Sequence, residues 1–161
     1  MTNLTARSWR DLAGDAGFRL PVMAAPSLPF GHVWLAGSLI AFVVGGTTGG
    51  TAGIGLALFL SLALIQPVIE ELLFRGAIQG YLLQTSFGGW SLHGVSIANV
   101  LTTILFAAAH LVYQPPIWAA GVLVPSLFFG YFRDRTGSVI SPIVLHISFN
   151  GMFFLGRALI L

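Results

Sequence analysis

The sequence predicts an all-α fold, a polytopic transmembrane bundle of about five helices. Of its 161 residues, 56% are hydrophobic and only 7% are charged, whereas soluble domains carry about a quarter charged residues. Two long runs, residues 20–69 and 76–132, contain no Asp, Glu, Lys or Arg. No alternation of apolar and polar residues points to strands, and a segment inside a bilayer must satisfy its own backbone hydrogen bonds, so we expect helices.

Five segments approach the roughly 20 apolar residues that a spanning helix needs. They are residues 32–45, extended by a proline-containing stretch at 21–30, then 51–84, 95–113, 117–132 and 139–161. Turn-forming residues separate them, namely the glycine-rich residues 45–50, then Gly88-Gly89, Gln114-Pro115-Pro116 and the charged residues 133–137. We therefore expect one membrane domain over residues 1–161, with a polar N-terminal segment at 1–20.

Composition excludes several classes of protein and site. Cysteine is absent, so the chain has no disulfide, no thiolate metal ligand and no cysteine nucleophile. A net charge of +2 is too small and too scattered to indicate binding to nucleic acid. Residues 1–20 lack the central apolar run of a secretory signal peptide. The high hydrophobic and low charged content predicts an integral membrane protein, and the membrane that we expect is a bacterial-type cytoplasmic membrane.

The placement of arginine predicts an orientation. Short cytoplasmic loops are enriched in Lys and Arg, and here the basic residues concentrate in the N-terminal segment and in the loop after the fourth predicted helix. These residues are Arg7, Arg10, Arg19, Arg133 and Arg135. With five spans the two places lie on the same side of the membrane. The N-terminus is therefore expected inside and the C-terminus outside, with Arg157 as the exception near the outer end.

The motif Glu70-Glu71-x-x-x-Arg75 is the main candidate site. Charged side chains deep in a bilayer are costly and usually face a bundle interior or a water-filled cavity, so they are candidates for function. Glu71 and Arg75 are four residues apart and can pair on one helix face, whereas Glu70 is rotated from Glu71 by about 100°. Arg75 is therefore expected to neutralise Glu71 and to leave Glu70 free. Two carboxylates in separate environments can play separate roles.

Two later helices carry similar polar pairs. Phe106 and His110 are four residues apart, and so are His146 and Asn150. A bundle would bring these faces together with the carboxylates on the second helix. A carboxylate as general base, a histidine to share its water, and a His/Asn pair as donors to an oxyanion would suffice for amide hydrolysis. No nucleophilic side chain is needed for this chemistry.

The three motifs together resemble those of the CPBP intramembrane protease family, which includes the CAAX prenyl endopeptidases and the bacterial Abi proteins. Glu70-Glu71-x-x-x-Arg75, Phe106-x-x-x-His110 and His146-x-x-x-Asn150 follow the order of that family and lie on hydrophobic segments. The resemblance covers residues 60–153. Many members of the family have additional helices, so this chain corresponds to a small catalytic core of the CAAX-protease type.

The resemblance implies a glutamate-dependent intramembrane endopeptidase. Glu70 would be the catalytic glutamate and His110 its water-positioning partner, while His146 and Asn150 would stabilise the oxyanion. Glu71 and Arg75 would support them. No cofactor is expected. A zinc-dependent version of the same protease is the alternative, with Glu70, His110 and His146 as ligands, because two histidines and a carboxylate are a possible zinc set.

The expected substrate is a membrane-associated peptide or protein, such as a C-terminal tail or a lipidated peptide, and a homodimer is compatible with so small a bundle. Two non-enzymatic functions are also open. Intramembrane Glu and His can form a proton relay, as in a small proton or ion transporter subunit, but the sequence shows no inverted repeat. A membrane scaffold or immunity-type protein is the other, and the intact polar set argues against an enzyme that has lost its activity.

Overall fold

The computed structural model describes residues 14–21, 29–48 and 55–159. These residues are mostly helical, which confirms the predicted all-α class. In chain order the helices are α1 (Phe30–Thr47), α2 (Leu56–Leu82), α3 (Ile97–His110), α4 (Pro116–Gly121), α5 (Leu123–Thr136) and α6 (Ile140–Leu159). One short hairpin, made of β1 (Ser91–Leu92) and β2 (Val95–Ser96), joins α2 to α3.

Parts of two predicted loops are helical among the described residues. Gly45 and Gly46 lie inside α1, which ends only at Thr47. Residues 133–136 form the last turn of α5, and Gly137, with a φ of 63°, follows the end of that helix. Glycine adopts this left-handed conformation without a side-chain penalty, so it ends the helix after the charged residues. The start of the second predicted helix at 51, and most of the polar N-terminal segment, lie outside the described residues.

The predicted fourth helix is two helices, α4 and α5, with Val122 between them. Pro116 opens α4, where its missing N–H costs nothing. Pro125 lies in the first turn of α5 and cannot donate to the carbonyl of Gly121, so a single helix cannot run undisturbed through this region. Prolines therefore explain both the start of α4 and the break that follows it.

Among the residues that the structure describes, three helices are long and apolar enough to cross a membrane, namely α1, α2 and α6. Helix α3 has 14 residues, which is about 21 Å at 1.5 Å per residue, shorter than the roughly 30 Å of a hydrocarbon core. Helix α5 has the same number of residues. Each predicted span thus corresponds to helical structure, but five full spans are not reached among the residues that the structure describes.

The hairpin before α3 is a feature that the sequence reasoning missed. At its tip His93 and Gly94 have φ values of 51° and 85°, the pair of left-handed residues that a two-residue type I′ turn requires. Ser96 ends the hairpin, and its hydroxyl accepts from the Asn99 amide at 2.9 Å. This contact caps the N-terminus of α3. The hairpin therefore reverses the chain and begins the helix that carries His110.

Helix α2 changes its pitch around the candidate carboxylates. The α-helical residues Gln66–Glu71 lie between two π-helical segments, Ser61–Ile65 and Leu72–Ile78. Pro67 cannot donate a hydrogen bond to the preceding turn, and the first π-helical segment lies just before it. Wide turns of this kind often occur at functional sites. The two carboxylates are thus held at the end of a short regular segment between two irregular ones.

Helices α1 and α6 approach so closely that their backbones touch at glycines. A side chain at Gly45 would strike the carbonyl of Phe153, and a side chain at Gly156 would strike the carbonyl of Phe42. Small residues allow such approaches between helices in membranes. This contact explains why a helix can contain glycine at Gly45, and it packs α1 against α6, the helix that carries His146.

Gly156→Ala is expected to lower the stability of the protein, because the added methyl group would press on the backbone of α1. Overpacking of this kind costs about 1–3 kcal/mol. Gly151 lies on the same helix with open space around it, so Gly151→Ala is the matched control. It should keep or gain stability, since alanine favours a helix over glycine by about 1 kcal/mol. Thermal unfolding in detergent measures both variants, and equal stabilities would contradict the close contact.

The segment before α1 lies against the turn between α5 and α6. The Nε of Arg19 donates to the carbonyl of Gly137 at 2.8 Å, and Arg133 donates to the carbonyl of Asp15 at 2.7 Å. Arg19 and Arg133 therefore lie at the same end of the bundle. The side of the membrane that this end faces stays a prediction.

Candidate active site

Glu71 and Arg75 form a fully buried ion pair on α2. Neither side chain has exposed surface, and Nη1 of Arg75 donates to Oε1 of Glu71 at 3.0 Å. The pairing predicted from their spacing is confirmed. Removing one partner of such a pair leaves an uncompensated charge in a low-dielectric interior. The pair therefore has a structural role in this part of the bundle.

Arg75 also joins α2 to the neighbouring helices. Its Nη2 donates to the hydroxyl of Ser126 at 2.6 Å and to the carbonyl of the same residue at 3.0 Å. Its guanidinium carbon lies 4.6 Å from the ring centre of Phe106 and 5.4 Å from that of Phe129. Both distances are in the range of cation–π attraction. Arg75 thus connects its own helix, α2, to α3 and α5.

His146 on α6 faces both carboxylates. Its Nδ1 lies 2.7 Å from Oε1 of Glu71, and its Nε2 lies 3.8 Å from Oε2 of Glu70. A carboxylate that is paired with Arg75 acts as an acceptor, so the hydrogen-bond network assigns a proton to Nδ1 of His146. The ring of Phe129 stacks on the imidazole with the centres 4.9 Å apart. Glu71 therefore sets the orientation of His146 and directs Nε2 towards Glu70.

Glu70 is the accessible carboxylate of the two. Its side chain is 16% exposed, and Nε2 of Gln66, one turn earlier, donates to its Oε1 at 2.8 Å. The gap of 3.8 Å from Oε2 to His146 is too long for a direct hydrogen bond. The prediction that Arg75 pairs with Glu71 rather than with Glu70 is confirmed, while Glu70 is bound by Gln66 instead.

His110 ends α3 and is oriented by its own helix. Its Nδ1 lies 2.9 Å from the carbonyl oxygen of Phe106. A carbonyl can only accept, so Nδ1 carries the proton and Nε2 is left as an open acceptor. The ring centre of Phe106 is 4.5 Å from that of His110 and 5.9 Å from that of His146. The two histidines therefore flank one aromatic ring, and α3 and α6 meet at the same site.

Asn150 binds the backbone of α2. Its Nδ2 donates at 3.1 Å to the carbonyl of Leu62, which lies in the first π-helical segment. Interhelical hydrogen bonds of this kind contribute to the packing of membrane helices. Asn150 thus has a structural contact of its own, and its predicted role as an oxyanion donor stays a prediction.

The structure places the predicted residues on three helices, α2, α3 and α6. They are Glu70, Glu71, Arg75, His110, His146 and Asn150. Direct contacts and the shared Phe106 ring connect the first five of them. Sequence reasoning missed Gln66, whose spacing of four residues from Glu70 was a usable signal. It also missed Ser126 and Phe129, which reach the site from α5 and had no such signal.

The described residues contain no group of three or more His, Cys, Asp or Glu side chains placed to hold a metal ion. Glu70, His110 and His146, the set that the sequence suggested for zinc, do not form such a group. The expectation that the protein needs no cofactor stays a prediction, and chelation tests it below.

The fold and the site together define a helical membrane protein whose carboxylates and histidines meet between α2, α3 and α6. The family model described as type II CAAX prenyl endopeptidase Rce1-like matches residues 51–152, a range that contains all three motifs. The chain therefore belongs to this family, and it is an integral membrane protein. The resemblance that the three motifs carry is confirmed.

One relative among the curated proteins is an uncharacterized 24.3 kDa protein from Escherichia coli, which is 30% identical over 87 residues. That match covers 54% of this chain and 38% of the relative, so the chain spans less than two fifths of the relative's length. No solved structure matches the chain.

Proposed function

We propose that the protein is an intramembrane endopeptidase that hydrolyses a peptide bond with a water molecule activated by Glu70. The observation that supports this most is the accessible Glu70, whose Oε2 lies 3.8 Å from Nε2 of a histidine that the buried Glu71–Arg75 pair orients. One carboxylate is thus free for chemistry while its neighbour is structural, a division of roles that acid–base catalysis uses. Membership of a protease family supports the hydrolase class.

In the proposed reaction Glu70, as a carboxylate, accepts a proton from the water while the water oxygen attacks the carbonyl carbon of the substrate. The second O–H of the water donates to Nε2 of His110, the open acceptor of that ring. A C–O bond forms, and the electron pair of the C=O double bond moves to oxygen. Collapse of this oxyanion breaks the C–N bond. Glu70 then returns its proton to the leaving amine.

His146 and Asn150 are proposed to stabilise the oxyanion. They lie one turn apart on α6, and His146 is next to Glu70. A positioned donor is worth most where negative charge develops. Nε2 of His146 can donate only when the ring is charged, and Asn150 has one N–H left beside the one that binds Leu62.

The proposed substrate is a membrane-associated peptide or protein tail, including lipidated C-terminal tails of the kind that the family description names. Three apolar helices of spanning length support a reaction at the bilayer. We also propose that the N-terminus lies inside and the C-terminus outside, because arginines concentrate in the N-terminal segment and at the end of α5. The small size of the bundle is compatible with a homodimer, which we include in the proposal.

Cleavage of a peptide panel by the purified protein in detergent tests this function. The panel contains a farnesylated CAAX peptide, the same peptide without lipid, and an apolar transmembrane peptide. The wild type is expected to cleave at least one of them, with no effect of a strong chelator, and Glu70→Gln to cleave none. Loss of cleavage with chelator and its return with zinc would support the zinc-dependent alternative. Ion flux across liposomes without cleavage would support a transporter instead.

A further inference from the structure

Tyr113 lies beside the candidate site, three residues after His110 in the turn between α3 and α4. Its ring centre is 5.4 Å from that of His110, and its backbone amide donates to the His110 carbonyl at 3.3 Å. The side chain is 57% exposed. The ring and the backbone amide of Tyr113 thus contact His110, while the side chain remains accessible to a substrate.

Two features of its surroundings raise the pKa of the Tyr113 phenol. Partial burial of the ring raises the pKa of the Tyr113 phenol above its ordinary value, and the negative charge of Glu70 raises this pKa further. A tyrosine with the ordinary pKa of about 10 is already protonated at neutral pH, so Tyr113 keeps its proton throughout that range. It is a neutral O–H donor in the turn that follows His110.

The proposed hydrolysis needs donors at the oxygen of the scissile carbonyl, and those on α6 are partly engaged. Nδ1 of His146 is bound to Glu71, and Nδ2 of Asn150 is bound to the Leu62 carbonyl. His146 has a further donor only when its ring is charged. A donor from the other side of the site, next to the histidine that positions the water, would complete the set.

We propose that Tyr113 is a further catalytic residue of this site, whose phenolic O–H donates a hydrogen bond to the scissile carbonyl and to the oxyanion formed from it. This inference rests on the proposed hydrolysis by Glu70. The proton stays on Tyr113 throughout, because the hydrogen bond strengthens as the oxygen gains charge and no proton is transferred. The donor therefore acts mainly in the transition state, and its removal should lower kcat.

Kinetics of Tyr113→Phe on the panel peptide that the wild type cleaves test this role. Phenylalanine keeps the ring next to His110 and removes only the hydroxyl. Loss of one oxyanion donor lowers kcat about 10²–10³-fold, and KM should change little. Tyr81→Phe is the matched control, because Tyr81 is a 70% exposed phenol on α2, and it should behave as the wild type does.

Two results would overturn the role of Tyr113 and leave the role of Glu70 intact. One is a kcat for Tyr113→Phe close to the wild-type value; loss of activity in Tyr113→Leu would then assign the effect to the ring. The other is a raised KM with unchanged kcat, since the hydroxyl would then bind a remote part of the substrate. Cleavage by Glu70→Gln, or no cleavage by the wild type, overturns the proposed function and this inference together.

A second measurement needs no substrate. The chain has three tyrosines, so the difference between the tyrosinate absorbance titrations of the wild type and Tyr113→Phe isolates Tyr113. Glu70→Gln, titrated with and without Tyr113→Phe, should show a lower pKa for Tyr113, because a nearby negative charge has been removed. An unchanged titration would place the phenol beyond the reach of Glu70 and contradict the proposal.

Discussion

The Glu70→Gln variant is expected to lose nearly all cleavage, with kcat lowered about 10²–10⁴-fold, because a carboxamide cannot accept the proton of the attacking water. The fold should be retained, since the oxygen of the new side chain can still accept the hydrogen bond from Gln66. Unfolding temperature and cleavage rate, measured on the same preparation, check this expectation. The expected pair of results is wild-type stability with lost activity.

Asp134→Asn is the control for the loss of a carboxylate. Asp134 lies near the end of α5 and accepts from Nε2 of Gln79 at 2.7 Å and from the amide of Ser96 at 3.3 Å. It contacts none of the candidate residues in the site, so cleavage should continue. If both variants lost cleavage to the same extent, the effect would come from removing any partly buried carboxylate, and the specific role of Glu70 would be contradicted.

The Glu71→Leu variant is expected to lose about 3–5 kcal/mol of stability, because it leaves the charge of Arg75 buried without its counter-ion. Cleavage should also fall, since Nδ1 of His146 loses the acceptor that orients the ring. Denaturant or thermal unfolding in detergent measures the first effect. Ile69→Leu is the control on the same helix, at a side chain that is 60% exposed, and should cost little.

The double variant Glu71→Leu/Arg75→Met separates the two roles of the ion pair. Apolar residues of similar size often match or exceed the stability that a buried ion pair provides. The double variant should therefore be more stable than Glu71→Leu alone, while its cleavage stays low because nothing orients His146. A double variant no more stable than the single one would show that the unpaired charge is not the cause. Restored cleavage would contradict the orienting role of Glu71.

Contacts within one helix could be predicted from the sequence. The Glu71–Arg75 pair and the approach of His110 to the Phe106 carbonyl both join residues four apart, which a turn of 3.6 residues places on one face. Gln66 could have been found by the same rule. Pro125 also indicates the break between α4 and α5, although the apolar residues on both sides of it suggest one continuous helix.

Contacts between helices could not be predicted in this way. Arg75 binds Ser126, which is 51 residues away in the chain, and Asn150 binds the backbone of Leu62, 88 residues away. An apolar pattern shows that two helices lie in a membrane, but their rotation and height depend on the packing of the whole bundle. A serine or a main-chain carbonyl has no charge or spacing that marks it as a partner.

The glycine contact between α1 and α6 lies outside the range of residues that the family model matches. The matched range, 51–152, excludes α1 altogether and stops short of Gly156. Yet Gly45 and Gly156 are where the two backbones meet, and α6 carries His146. The histidine that faces Glu70 therefore lies on a helix that packs against one with none of the motif residues. Residues outside the matched range thus contribute to the packing of a helix that carries part of the site.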